Sequence, residues 1–91
     1  AANYVPTQAA QDKDGYIWIQ FGNRSPLALR DIQFSYAWVD DAGRTRQDSV
    51  TWRGPLAGGK QDRVRLNLRL PAVQNLDQRF RVQVTAAAVA E

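Results

Sequence analysis

The side chains that most often perform catalysis or bind metals are scarce in this sequence. It contains no Cys and no His, and its single Glu is the last residue, Glu91. The missing imidazole and thiol exclude Ser-His-Asp and Cys-His nucleophiles and remove the usual ligands of transition metals. General acid–base chemistry would have to use Asp. We therefore expect no enzymatic activity, no catalytic residue, no cofactor and no metal site in this chain.

Asp40 and Asp41 are the only acidic residues that are adjacent in the sequence. One interpretation is an acid–base pair or a calcium site, although a calcium loop needs several more spaced oxygen ligands. The other is that both carboxylates accept hydrogen bonds from backbone amides in a turn, because Asp is a common turn former. The Gly43 that follows in the segment DDAGR favours the turn.

Arginine dominates the positively charged residues. Lys and Arg together number 12 against 9 acidic residues, which gives a net charge of +3. The planar guanidinium suits carboxylates and phosphates, but acidic residues interspersed along the chain argue against a nucleic-acid footprint. If the last two predicted strands are neighbours, their outward arginines form one basic face; if they lie in opposite sheets, the row splits and only solvates the surface. The row consists of Arg63, Arg65, Arg69, Arg79 and Arg81.

The segment GYIWIQFGN alternates but is apolar on both of its sides. Ile17, Ile19 and Phe21 lie on one side, and Tyr16 and Trp18 lie on the other. If the first three residues face the core, Tyr16 and Trp18 face outward, where such residues are favoured as interface anchors. We predict a partner-binding site that combines Tyr16 and Trp18 with the Arg-bearing strands.

Alternation of apolar and polar residues predicts five strands, separated by turn residues. The clearest is RDIQFSYAWVD, in which Ile32, Phe34, Tyr36 and Trp38 share one face. We predict that Gly43 takes a left-handed conformation and returns the chain as a hairpin. The tail AAAVAE either extends the last strand or frays. The five predicted strands lie in GYIWIQFGN, RDIQFSYAWVD, residues 45–52, DRVRLNLRLP and RFRVQVTA.

These strands, with no amphipathic helix, predict an all-β fold. We expect a small antiparallel β-sandwich, immunoglobulin-like, of five to seven strands. A single domain would span residues 15–91, after a flexible lead-in or linker over 1–14 in which a short strand could form near Tyr4. The chain has no apolar run long enough to span a membrane. Its nine aromatic residues supply the core volume that a chain of 91 residues needs.

The segment QFGNRSP…DIQFSYAWVDDAGR resembles sandwich domains of the bacterial envelope. One strand ends in Asn-x-Ser, and a second runs into an aromatic-x-x-x-Asp hairpin with a nearby Gly. The second strand is similar to the motif of the FxLYD family, with Tyr36 first and Asp40 last, while Trp38 replaces Leu and Val39 replaces Tyr. The YcfL-like periplasmic lipoproteins are similar through Tyr36, Trp38, Asp40, Gly43 and Trp52.

This resemblance covers residues 15–84 and implies a non-catalytic domain in the periplasm or cell envelope. We therefore expect an accessory or protein-interaction domain of a bacterial cell-envelope protein, as a C-terminal module of a larger protein. Its partner would be another protein or other domains of the same polypeptide. Two alternatives stay open. One is a module that binds nucleic acid or lipid head groups through the Arg-rich strand face. The other is an appended domain of a periplasmic zinc metalloprotease whose catalytic residues lie outside this chain.

Overall fold

The computed structural model describes residues 4–40, 42–70 and 79–90, which form a small antiparallel β-sandwich. Two three-stranded sheets have the orders β1-β2-β5 and β4-β3-β6. These are the A-B-E and C′-C-F orders of an immunoglobulin-like sandwich, so the predicted fold class is confirmed. The strands are β1 (Thr7–Gln11), β2 (Tyr16–Gly22), β3 (Leu29–Val39), β4 (Thr45–Trp52), β5 (Gln61–Arg69) and β6 (Phe80–Val89).

The ends of the described chain contribute more strand than the sequence indicates. β1 pairs with β2, with Thr7 opposite Phe21 and Gln11 opposite Ile17, so residues 7–11 belong to the folded sheet. Its sequence TQAAQ has little strand propensity, and the neighbouring β2 supplies the backbone partners that make it a strand. At the other end, β6 continues through Val89, so the Ala-rich tail extends the last strand. In the described part of the chain, no helix is long and apolar enough to cross a membrane.

The core lies between the two sheets and contains the side chains predicted to face inward. Ile17 of β2 and Ile32 of β3 have no solvent exposure. The Phe21 ring centroid lies 5.0 Å from the centroids of both Phe34 and Trp52, which belong to the opposite sheet. Tilted aromatic contacts of this kind add stability beyond the area that they bury. Within the core the two sheets are thus joined by apolar packing, and no disulfide links them, because the chain contains no Cys.

The hairpin between β3 and β4 has the turn that the sequence predicts. Gly43 has a φ of +78°, and the Asp40 carboxylate accepts hydrogen bonds from the backbone amides of Ala42 (3.0 Å) and Arg44 (2.9 Å). The Arg44 amide is the largest cause that holds the pKa of Asp40 below its ordinary value. Asp40 is therefore a turn-forming carboxylate, and Asp41 lies outside the described residues.

The buried carboxamide of Asn23 ties together the loops at one end of the sandwich. Asn23 is 2% exposed. Its Nδ2 donates to the carbonyl oxygens of Leu27 (2.7 Å) and Leu56 (2.9 Å). Its Oδ1 accepts from the amide and the hydroxyl of Ser25, at 2.9 and 2.7 Å. All the hydrogen-bonding capacity of the side chain is used, as burial of an amide demands, so the Asn-x-Ser sequence is structural.

Asn23→Ala should destabilise the domain strongly, because it removes four hydrogen bonds and leaves the buried Ser25 amide without its acceptor. At about 1 kcal/mol for each bond, the free energy of unfolding should fall by about 4 kcal/mol in urea denaturation. Asn67→Ala, at an exposed position of β5, is the matched control and should change it by less than about 0.5 kcal/mol. Equal effects of the two substitutions would contradict the role of Asn23.

Candidate partner-binding face

Five of the seven predicted site residues lie on the outer face of the sheet β1-β2-β5. β2 and β5 direct alternate side chains into the core, so the residues between them project to the other side. The aromatic members are half-buried and the arginines are exposed. We call this surface the Arg–aromatic face. Its members are Tyr16 and Trp18 of β2 and Arg63, Arg65 and Arg69 of β5.

Arg79 and Arg81 do not belong to this face. Arg81 lies in β6 opposite Ala37 of β3, and the exposed Arg79 directly precedes that strand. β5 and β6 lie in opposite sheets. The five-arginine row is therefore split, and it does not make one continuous basic surface.

An irregularity in β5 gathers its arginines around β2. Trp18 pairs with Arg65 and Tyr16 pairs with Arg69, so four steps along β5 face two steps along β2. β5 thus carries two extra residues, which form a bulge. An even number of extra residues preserves the alternation of inward and outward side chains, so Arg65 and Arg69 both still face outward. In a regular strand they would lie about 13 Å apart, whereas here both contact one ring.

The guanidinium groups of the face lie over the aromatic rings. The Cζ atom of Arg63 is 4.7 Å from the ring centroid of Trp18. The Cζ atoms of Arg65 and Arg69 are 4.7 and 5.3 Å from the ring centroid of Tyr16. Each distance is within the range of a cation–π interaction, worth about 0.5–1 kcal/mol at exposed sites. Cations and rings therefore alternate along the face and limit each other's motion.

Asp12, in the turn between β1 and β2, fixes the indole of Trp18. Its Oδ2 accepts from the indole Nε1 at 3.0 Å, and its Oδ1 accepts from the amides of Asp14 and Tyr16, both at 2.9 Å. The hydrogen bond from Trp18 is the largest cause that lowers the pKa of Asp12; desolvation opposes it, and the backbone amides add to it. The sequence does not predict this role. Its only signal is Asp12-x-x-Gly15, a turn pattern that brings Asp12 beside the strand.

No carboxylate of the described residues forms a salt bridge with the arginines of the face. The salt bridges among the described residues join Arg30 to Asp31 and Arg46 to Asp40, away from this surface. Arg69 donates from Nε to the backbone carbonyl of Asp14 at 3.1 Å. This hydrogen bond positions the side chain, and because the carbonyl is neutral it does not pair the positive charge. The face thus presents guanidinium groups that can bind an external anion.

A shallow groove continues from the Arg63 end of the face. Three cationic side chains and the carboxylate of Asp62 line it, so it extends the positive surface past the end of β2 and β5. Among the described residues, no group of three or more acidic, His or Cys side chains could hold a metal ion. The Arg–aromatic face and its groove therefore offer guanidinium donors and aromatic rings to a ligand, and not a cluster of metal ligands. Residues lining the groove include Gln8, Gln20, Arg24, Lys60, Asp62 and Arg63.

Comparison of the chain with protein-family models, with curated proteins and with solved structures gave no match. The similarity to the FxLYD and YcfL-like families stays a prediction from the sequence. A function for this chain must therefore be inferred from the geometry of its surface.

The Asp12–Trp18 hydrogen bond predicts the acid titration of this site. Because the pKa of folded Asp12 is below the ordinary value of 3.8, its contribution to stability is complete above the unfolded-state pKa. It is lost as the pH falls through the lower, folded pKa. We expect the indole N–H resonance of Trp18 to shift with a midpoint below 3.8, measured by NMR, and the resonance of Trp52 serves as an internal control.

Asp12→Asn should abolish this titration of the Trp18 resonance, because the neutral amide has no charge to lose in that pH range. A midpoint at or above 3.8 in the unmodified chain, or an unchanged titration in the Asn variant, would show that Asp12 does not hold the indole in solution.

Proposed function

We propose that this chain is a non-catalytic protein-interaction domain that binds its partner through the Arg–aromatic face. The observation that carries the proposal is the set of three exposed arginines over two half-buried rings, with no carboxylate of the described residues in a salt bridge with these arginines. Arg, Tyr and Trp are the residues that most often dominate binding energy at interfaces. The rings hold the arginines in place, so binding would cost less side-chain entropy.

In this proposal the domain is an accessory module of a larger bacterial cell-envelope protein, located in the periplasm or cell envelope. The partner is another protein or another domain of the same polypeptide. Support comes from the similarity to envelope families and from the structural use of the residues that carry it: Asn23 and Ser25 close the loop end, and Asp40 caps the hairpin. A periplasmic zinc metalloprotease is one host that would keep all its catalytic residues outside this chain.

The split of the arginine row weakens the alternative of a broad anion-binding surface. A membrane of lipid head groups or a nucleic-acid duplex would be met best by one continuous basic face. Here the three arginines of β5 and the two near β6 belong to opposite sheets. The three arginines of β5 instead form a small patch over two aromatic rings. Its composition is that of the centre of a protein–protein interface.

Site-specific photocrosslinking in the producing cells tests the proposal. Gln20 is exposed, is opposite Arg63 in the register and borders the face, so a photoreactive residue there should form a discrete crosslink to one second polypeptide or domain. Gln83 is exposed in β6, on the opposite sheet, and is the matched control position, which should give no such crosslink.

Charge reversal makes the test specific for the face. Arg65→Glu should remove most of the crosslink formed from Gln20, because it reverses a charge at the centre of the face. Arg81→Glu makes the same change on the other sheet and should leave the crosslink intact. Crosslinks of equal yield from Gln20 and Gln83, or equal sensitivity to both substitutions, would rule out this face as the partner surface.

A further inference from the structure

We propose that the segment of the partner that binds the Arg–aromatic face is an extended acidic peptide whose carboxylates occupy alternate positions. This inference rests on the proposed function and specifies its ligand chemistry. Arg63 and Arg65 are two residues apart in β5 and both face outward, so they repeat at about 6.6 Å. Side chains at alternate positions of an extended peptide repeat at the same distance. Successive carboxylates would therefore each meet one guanidinium.

The guanidinium groups of Arg63 and Arg65 have no hydrogen-bond partner among the described residues, although the Cζ atom of each lies 4.7 Å from a ring centroid. Each guanidinium carries five N–H donors in one plane. Within the described residues, the side chains of Arg63 and Arg65 form no ion pair. In-plane donors are the ones that bind a carboxylate through two parallel hydrogen bonds. The rings thus hold the arginines where a carboxylate can reach them, and no carboxylate of the described residues is paired with them.

Further cations extend the complementary charge beyond the stack. Arg69 lies at one end of the face, and at the other end Arg24 and Lys60 line the groove that begins at Arg63. Asp62 also lines the groove and would repel a carboxylate at that one position. The path therefore suits a peptide with spaced acidic residues better than one uniformly charged along its length.

A single-stranded nucleic acid fits this face less well than an acidic peptide. Such ligands gain affinity by stacking bases on exposed aromatic faces. Here Arg63 lies over Trp18, and Arg65 and Arg69 both lie over Tyr16. The indole N–H of Trp18 is also occupied, by Asp12. The rings therefore support cations and do not provide a platform for bases.

Titration of the intact chain with synthetic peptides at low salt tests this inference. The probe is a capped peptide of alternating Glu and Thr, about eight residues long and roughly 26 Å when extended. Matched controls have the same composition with all Glu in one block, or Gln in place of Glu. We expect the alternating peptide to bind about tenfold more tightly than either control, the factor that one charge-assisted hydrogen bond can supply.

Arg65→Gln should weaken binding of the alternating peptide by about tenfold. Arg81→Gln, the same change on the opposite sheet, should leave the affinity unchanged. Both positions are exposed, and thermal unfolding confirms that each variant is folded. During titration the NMR resonances of Tyr16 and Trp18 should shift, since the bound carboxylates would lie beside the arginines that cover their rings.

Equal affinity for the alternating and block peptides, or no effect of Arg65→Gln, would overturn the inference. Tighter binding of an oligothymidylate of equal length would overturn it too and would identify a nucleic-acid surface. Crosslinking from Gln20 separates the two proposals: crosslinks without peptide binding would remove only the acidic-peptide inference. Loss of the face-specific crosslink would remove the proposed function itself.

Discussion

The buried Asn23 is the constraint on which the Arg–aromatic face depends. It directly follows β2, and its backbone amide donates to the Lys60 carbonyl at 2.9 Å, while Gly59 donates to the Asn23 carbonyl at 2.7 Å. Lys60 directly precedes β5, so this pair sets the register of two strands that are distant in the sequence. A slip by one residue would turn every arginine of β5 into the core. The polar contacts inside the loops thus determine which charges reach the outer surface.

The bulge in β5 determines which arginines meet the rings of β2. With Trp18 opposite Arg65, a regular ladder would place Asn67 opposite Tyr16, whereas the two extra residues place Arg69 there and bring Arg65 and Arg69 over the same Tyr16 ring. Both guanidinium groups are positively charged and lie near the same ring, so they repel each other. Local arrangements that oppose stability are expected at functional sites, where a ligand completes them. An external carboxylate would relieve this repulsion, which connects the bulge with anion recognition.

The alternation of apolar and polar residues predicts the strands, whereas the pairing of strands that are distant in the sequence determines which residues form the Arg–aromatic face. In β3 the alternation places Phe34 and Tyr36 in the core as predicted, and Gly43 makes the turn, because both features depend on neighbouring residues. β1 has no such pattern and forms because β2 pairs with it. The arginine row is ambiguous for the same reason: its division between sheets depends on where the chain crosses, which alternation does not report. The contact of Asp12 with Trp18 likewise requires the folded turn.

The residues that carry the family resemblance and the residues of the face are separate sets. Tyr36 stacks on Trp38 and on Phe80, with centroids 5.7 Å apart in both pairs, and Asn23 and Asp40 satisfy backbone groups of loops. None of these side chains belongs to the Arg–aromatic face. A sandwich can therefore keep its core, loop and turn residues while the outward positions of β2 and β5 vary, because outward positions carry little of the packing. On this fold, partner choice is free to change without loss of structure, so similarity in the structural motif and similarity in ligand are independent properties.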